Sequence, residues 1–112
     1  MDRIYLASPY SHPDRAVRKA RYLAAVQSAG KLMKERPGCA VFSPIAHSHM
    51  IAEMTDLPGS FEFWQGQDVG FIDLWATRLA VLMLDGWQES RGVKAEIARA
   101  EVRGLPVEYL EP

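Results

Sequence analysis

The stretch Leu79-Ala80-Val81-Leu82-Met83-Leu84 is apolar at every position, without the alternation that marks a strand wetted on one face. Such a run is expected of a strand covered on both faces, and strands of this kind belong to parallel sheets packed between helices. The neighbouring segments fit. Beyond the loop Asp85 to Ser90, a helix is expected from about Arg91 to Arg103 with Gly104 as its stop, and Pro106 to Leu110 supplies a short final strand. On the other side, Ser60 has the side chain of an N-cap for a helix reaching about Thr77. Glu62 stands in its first turn, where the macrodipole favours an acid.

Further out, Cys39 to Ser43 (CAVFS) is a second β-rich segment closed by Pro44, and Ile45 to Thr55 reads as a short helix or a structured loop. Pro13 with Asp14 opens a long helix to about Arg36, ended by Pro37-Gly38. Along it Ala16, Ala20, Leu23, Val26, Gly30 and Met33 recur at spacings of three and four as an apolar face. Arg3 to Ala7 is a first strand, ended by Ser8-Pro9. Strands alternating with helices predict a parallel α/β sheet with right-handed crossovers, in one domain over residues 1–112. Ligands of such sheets bind at the carboxyl ends of the strands, which singles out the loops Ser8 to Asp14, Pro44 to His49 and Asp85 to Gly92.

With 48% hydrophobic residues in a chain of 112, one core can be filled and disorder is excluded. Thirteen basic against 14 acidic residues leave a net charge of −1, so the basic footprint of a nucleic-acid polymer binder is missing and a small ligand stays open as partner. The single cysteine, Cys39, forms no internal disulfide and fits a reducing compartment, with the cytoplasm expected. No apolar run approaches the roughly 18 residues of a membrane span, so neither export nor a membrane partner is indicated.

Asp68 is the most unusual position. Phe61, Trp64, Phe71, Ile72 and Trp75 trace an apolar helical stripe, and Asp68 falls inside it, its carboxylate aimed at the core side. A buried charge of this kind is paired, protonated or working. Asp73 lies on the other face with Gly66 and Gly70, and is the weaker candidate. Glu96 lies in the first two turns of the last helix, whose N-terminus would keep it ionised as suits a nucleophile. The ordinary reading is a surface acid with Arg99 and Arg103 on one polar face. Ser8, Ser11 and His12 precede a helix whose start carries Arg15, Arg18 and Lys19, against the macrodipole, and an anion would relieve that conflict. His47 and His49 lack the further ligands a zinc site needs, so no metal is expected, and they read as ligand hydrogen-bonders or loop structure. Trp64 and Trp75 read as core, whereas Trp87 in its loop could line a pocket.

Ile4-Tyr5-Leu6-Ala7-Ser8-Pro9 and Ser90-Arg91-Gly92 with Glu96 resemble the nucleoside 2-deoxyribosyltransferase superfamily over most of the chain. The nearest wording is a small bacterial and phage branch of unknown function that begins like YLASPYSHP and carries a segment like GWQESRGVKAEI. The resemblance implies a flavodoxin-like, Rossmann-like three-layer sandwich with a small parallel sheet. It implies Glu96 as nucleophile, Tyr5 positioning it, and Asp68 assisting the base, with Asp73 the alternative. Ser8 stands where the family often has Gly. Transferases of the family typically carry an Asp six residues before the nucleophile and its monophosphate hydrolases a Ser; this chain has Ser90. The expected function is therefore hydrolysis of the base–deoxyribose bond of 2'-deoxynucleoside 5'-monophosphates without a cofactor. Base transfer and a non-catalytic nucleotide-binding module are the alternatives. Substrate contacts are expected from Ser8, Pro9, Ser11, His12, Arg15, Arg18, His47, Trp87, Ser90 and Gly92. A homodimer or larger homo-oligomer is expected from the superfamily and from Gly66 and Gly70, four apart on one helix face, where something should approach closely, a second copy or equally a neighbouring helix of the same chain.

Overall fold

The computed structural model describes residues 1–112. In chain order it has β1 (Arg3–Ala7), α1 (Arg15–Glu35), β2 (Ala40–Phe42), α2 (Pro44–Met54), α3 (Phe61–Gly70) continued by a π-helical turn (Phe71–Trp75), β3 (Arg78–Leu82), α4 (Arg91–Val102) and β4 (Val107–Leu110). The four strands are all parallel, in the order β2-β1-β3-β4. Leu79 to Leu82 of the decisive run are fully buried. Leu79 and Val81 point with Tyr5 and Ala7 to one face, under α4 and the π-turn through Val93, Ala100 and Ile72. Ala80 and Leu82 point with Ile4 and Leu6 to the other, under α1 through Ala29 and Leu32. This is the expected three-layer α/β sandwich, and no helix is long and apolar enough to cross a membrane.

Side-chain caps set most of the boundaries. Asp14 accepts from Ala16 N at 2.8 Å and Ser60 from Phe63 N at 3.2 Å. Ser43 accepts from Ala46 N at 3.0 Å with Pro44 in the first turn, so Pro44 to Met54 is helix, and the segment expected as the loop Pro44 to His49 is its start. Gly104, at φ +70, closes α4 as expected.

Two expectations are corrected. On α1 the residues against the sheet are Ala25, Ala29 and Leu32, whereas Leu23 and Met33 are 47% and 51% exposed. At 100° per residue the six residues of the expected apolar face centre about 140° round the helix from these three, and all six are exposed, so the expected face is the outer one. The inner face is read with difficulty because its packing residues are mostly small, and Arg18, Arg21 and Tyr22 share it. The helix expected to reach Thr77 leaves α-geometry after Gly70, and Ala76 N bonds to Phe71 O at 2.8 Å, five residues back. The π-turn turns Phe71 outward to stack on Phe42 at 4.0 Å and buries Ile72.

Candidate active site

At the carboxyl ends of β1 and β3 the chain leaves toward opposite faces, into α1 from β1 and into α4 from β3. That divergence is where open parallel sheets take ligands. A cavity of about 930 Å³ opens there, within the range of small-molecule sites, walled by the two loops and by α2, α3 and α4.

Glu96 and Asp68 both line it. Tyr5, fully buried on β1, donates its hydroxyl to Glu96 Oε2. Burial, then the charges of Glu96 and Asp68, hold the Tyr5 phenol well above its ordinary range, which keeps it a donor. Burial pushes Glu96 up to about 8; the Tyr5 hydrogen bond opposes this and the Asp68 charge adds to it. The expectation of a carboxylate kept ionised by the helix start is thereby overturned. Glu96 stands six residues past the Ser90 cap, beyond the first turn over which the macrodipole acts, and desolvation outweighs it.

Asp68 projects from α3 with no hydrogen-bond or ion-pair partner, and burial pushes it up to about 6. It faces the cavity rather than a closed core, and so does Trp64, whose Nε1 donates to Pro58 O at 2.9 Å. Asp73 is spoken for. Arg99 grips it through two hydrogen bonds of 2.6 Å and holds its carboxyl below the usual range, and it does not line the cavity.

Ser90 caps α4, its Oγ accepting from Val93 N at 3.2 Å, which leaves the hydroxyl proton free to donate. Ser90 O takes Lys94 N at 3.0 Å, and the N–H groups of Arg91 and Gly92 have no acceptor in the chain. Ser90 and Gly92 therefore present a small cradle of free donors on the cavity wall. Arg91 lies over the Phe61 ring at 3.9 Å and 3.5 Å from Glu62, tying the starts of α3 and α4 together.

Ser8, Ser11, His12 and Arg18 line the cavity. Pro9, expected beside them, is buried and outside the lining. Much of the positive start expected of α1 is already matched within the chain. Asp14 caps it, Arg18 turns back onto His12 O and Pro13 O, and Arg15 pairs with Glu53 at 3.2 Å in a separate pocket of about 260 Å³. His47 also lies outside the cavity. It is exposed and packs on the rings of Phe42 and Phe71 at 5.5 and 6.5 Å. His49, two residues on and so on the other side of α2, lines the cavity instead, stacked on Tyr22 at 3.9 Å with Nδ1 2.8 Å from the Tyr10 hydroxyl. Trp87 does not line the cavity; it leans on Tyr109 at 5.6 Å and on the edge of the core.

Sequence reasoning missed Arg21. From α1 it donates to Ser11 O at 2.9 Å and to Asp85 O at 3.1 Å, joining the loop after β1 to the loop after β3. Gly86 sits at φ +87, where a Cβ would come within 2.8 Å of Arg21 Nη2. A cation on the sheet-facing side of α1 was the available signal, but it requires the correct inner face.

The four-stranded parallel sheet between helices matches a 2-deoxyribosyltransferase-like, Rossmann-like α/β fold. Over 98% of its length the chain is similar to the solved 2-deoxyribosyltransferase of the psychrotolerant bacterium Bacillus psychrosaccharolyticus. That similarity has 26% identity, a TM-score of 0.64 and 72% of the other chain covered. Within this class the chain belongs to the family described as domain of unknown function DUF1937, whose model matches residues 2–111. No curated protein matches it in sequence.

Proposed function

We propose that this protein cleaves the N-glycosidic bond of 2'-deoxynucleoside 5'-monophosphates, with Glu96 as nucleophile. The observation that carries the reading is the grouping in one cavity of Glu96, held by the Tyr5 hydroxyl, with an unpaired Asp68. Two carboxyl groups facing one cavity are the pair a double displacement at an anomeric carbon uses, and because burial raises Glu96 more than Asp68, the working form has the pair's one proton moved from Glu96 to Asp68. Glu96 attacks C1', the C1'–N bond breaks, and its electron pair goes to the base, which takes a proton from Asp68. Asp68 then removes a proton from water, which attacks C1' and frees Glu96. The similarity to a 2-deoxyribosyltransferase supports glycosyl transfer as the chemistry. It also favours a second reading, in which a base rather than water resolves the intermediate.

The phosphate preference rests on Ser90 with the free N–H groups of Arg91 and Gly92, since a carboxylate in place of Ser90 would repel an anion. The test compares kcat/KM for a deoxynucleoside with and without its 5'-phosphate, in wild type and Ser90→Asp, with and without a free acceptor base. The proposal expects at least a tenfold preference for the phosphate in wild type, lost in Ser90→Asp. Equal values in wild type remove the phosphate site. Product formed only when an acceptor base is added makes the protein a transferase, and binding without turnover makes it a nucleotide-binding module.

A further inference from the structure

Ser8 stands at the carboxyl end of β1, three residues past Tyr5, and lines the cavity. Its residue surface is only 5% exposed, and its Oγ is buried without a hydrogen-bond partner in the protein. It is the one buried side-chain polar atom in the chain in that condition; the other buried serine, Ser43, is spent as the α2 cap. A hydroxyl taken out of water and left unmatched destabilises the fold, so such a group marks a place where something outside the free protein completes it.

The identity of that group follows from what the rest of the cavity offers, and here the inference rests on the proposed function. Asp68 serves the base, Glu96 the anomeric carbon, and the α4 cradle the phosphate. A 2'-deoxynucleoside 5'-monophosphate then has one sugar group left with both a proton and lone pairs, the 3'-hydroxyl. Ser8, one residue past the strand that carries Tyr5 and in the lining of the same cavity as Glu96, carries the matching neutral donor and acceptor. We infer that Ser8 Oγ receives the sugar 3'-hydroxyl and makes that hydroxyl a requirement for binding. A site built to bond a hydroxyl rejects the analogue that lacks it far more strongly than an apolar pocket would.

The test is a cycle between protein and ligand, read as equilibrium binding in a Glu96→Gln background so that binding is separated from turnover. Kd is measured for a 2'-deoxynucleoside 5'-monophosphate and its 2',3'-dideoxy counterpart, with Ser8 and with Ser8→Ala. The expected result is at least a tenfold preference for the 3'-hydroxyl ligand with Ser8, falling to less than threefold in Ser8→Ala. Ligand-free Ser8→Ala in the wild-type background should melt at or above the wild-type temperature, because the change removes an unmatched polar group. An equal preference in both proteins, no binding of either ligand, or a lower melting temperature overturns the inference. Base release by the wild-type protein is a separate reading: its absence alongside a positive cycle sinks the hydrolase and leaves the Ser8 contact standing.

Discussion

Glu96 carries the tension of this site. Its folded-state value of about 8 lies above the 4.5 of a free glutamate, so between those values the folded protein holds a proton that the unfolded chain has lost. The resulting stabilisation is fully present below about pH 4.5 and is lost as pH rises through about 8; Asp68, raised from 3.8 to about 6, acts in the same direction. Glu96→Gln, neutral at every pH and still able to accept from Tyr5, should therefore melt increasingly above wild type between about pH 5 and pH 9. A gap of about 1 kcal/mol would appear as roughly 4–8 °C, and parallel melting curves would contradict the assigned burial. Catalysis asks for the less favoured arrangement, with one proton on the pair, on Asp68, and Glu96 ionised. The pair titrates as a unit, so kcat/KM should be bell-shaped, falling below about 6 and above about 8. Asp68→Asn should lower base release by about 10²–10⁴-fold with the fold intact, and activity near wild type would remove Asp68 from the reaction. Both carboxylates were legible as residues, Asp68 because it broke an apolar stripe and Glu96 through the family resemblance. The upward shift of Asp68 was legible from the same stripe, whereas that of Glu96 was not, because it depends on how deeply α3 and α4 enclose the cavity.

The elements act as mounts for these side chains. Asp73, on the π-turn, grips Arg99 of α4 and fixes the two helices that present Asp68 and Glu96 to each other. Arg21 does the corresponding work for the two loops, with Gly86 leaving room for its guanidinium. Gly86→Ala combines a left-handed backbone, costing roughly 1–2 kcal/mol, with a clash at Arg21, so it should lower the melting temperature and raise KM. Arg21→Ala should raise KM more than it lowers kcat, because the carboxyl pair is untouched while the loops loosen. An unchanged KM in both variants would reduce the clamp to surface structure. Caps and strands were readable because Asp14, Ser60, Ser90 and Gly104 act within a few residues of themselves. The π-turn was not, since periodicity runs through it unbroken while one extra residue in the turn exchanges Phe71 for Ile72 on the inner face. The facing of α1 misled for a related reason: alanines occur on both sides, and the longer apolar side chains are the outer ones.

For the molecule as a whole, the sheet order gathers α2, α3, α4 and the loops after β1 and β3 around one cavity and leaves apolar side chains outside it. Leu74 and Val102 are 89% and 75% exposed, Leu23 and Met33 about half so, and nothing of the same chain comes within 4 Å of a Cβ built on Gly66 or Gly70. A helix of the same chain is thus not what those glycines admit. A second copy is the expected occupant, and light scattering at micromolar concentration should give a dimer or larger; a strictly monomeric mass would contradict it. The fold class was legible from one apolar run and its neighbours, whereas the extent of the cavity, and which loop residues reach it, arise only when α2 and α3 close over the strand ends. The account stands or falls on chemistry at C1'. Chromatographic detection of free base from a panel of 2'-deoxynucleoside 5'-monophosphates, run with wild type and Glu96→Gln, tests it most directly. The prediction is base release by wild type and a loss of at least about 10³-fold in Glu96→Gln, since an amide cannot replace the attacking carboxylate. Release by the variant at the wild-type rate, or none by either protein on any member of the panel, would contradict it.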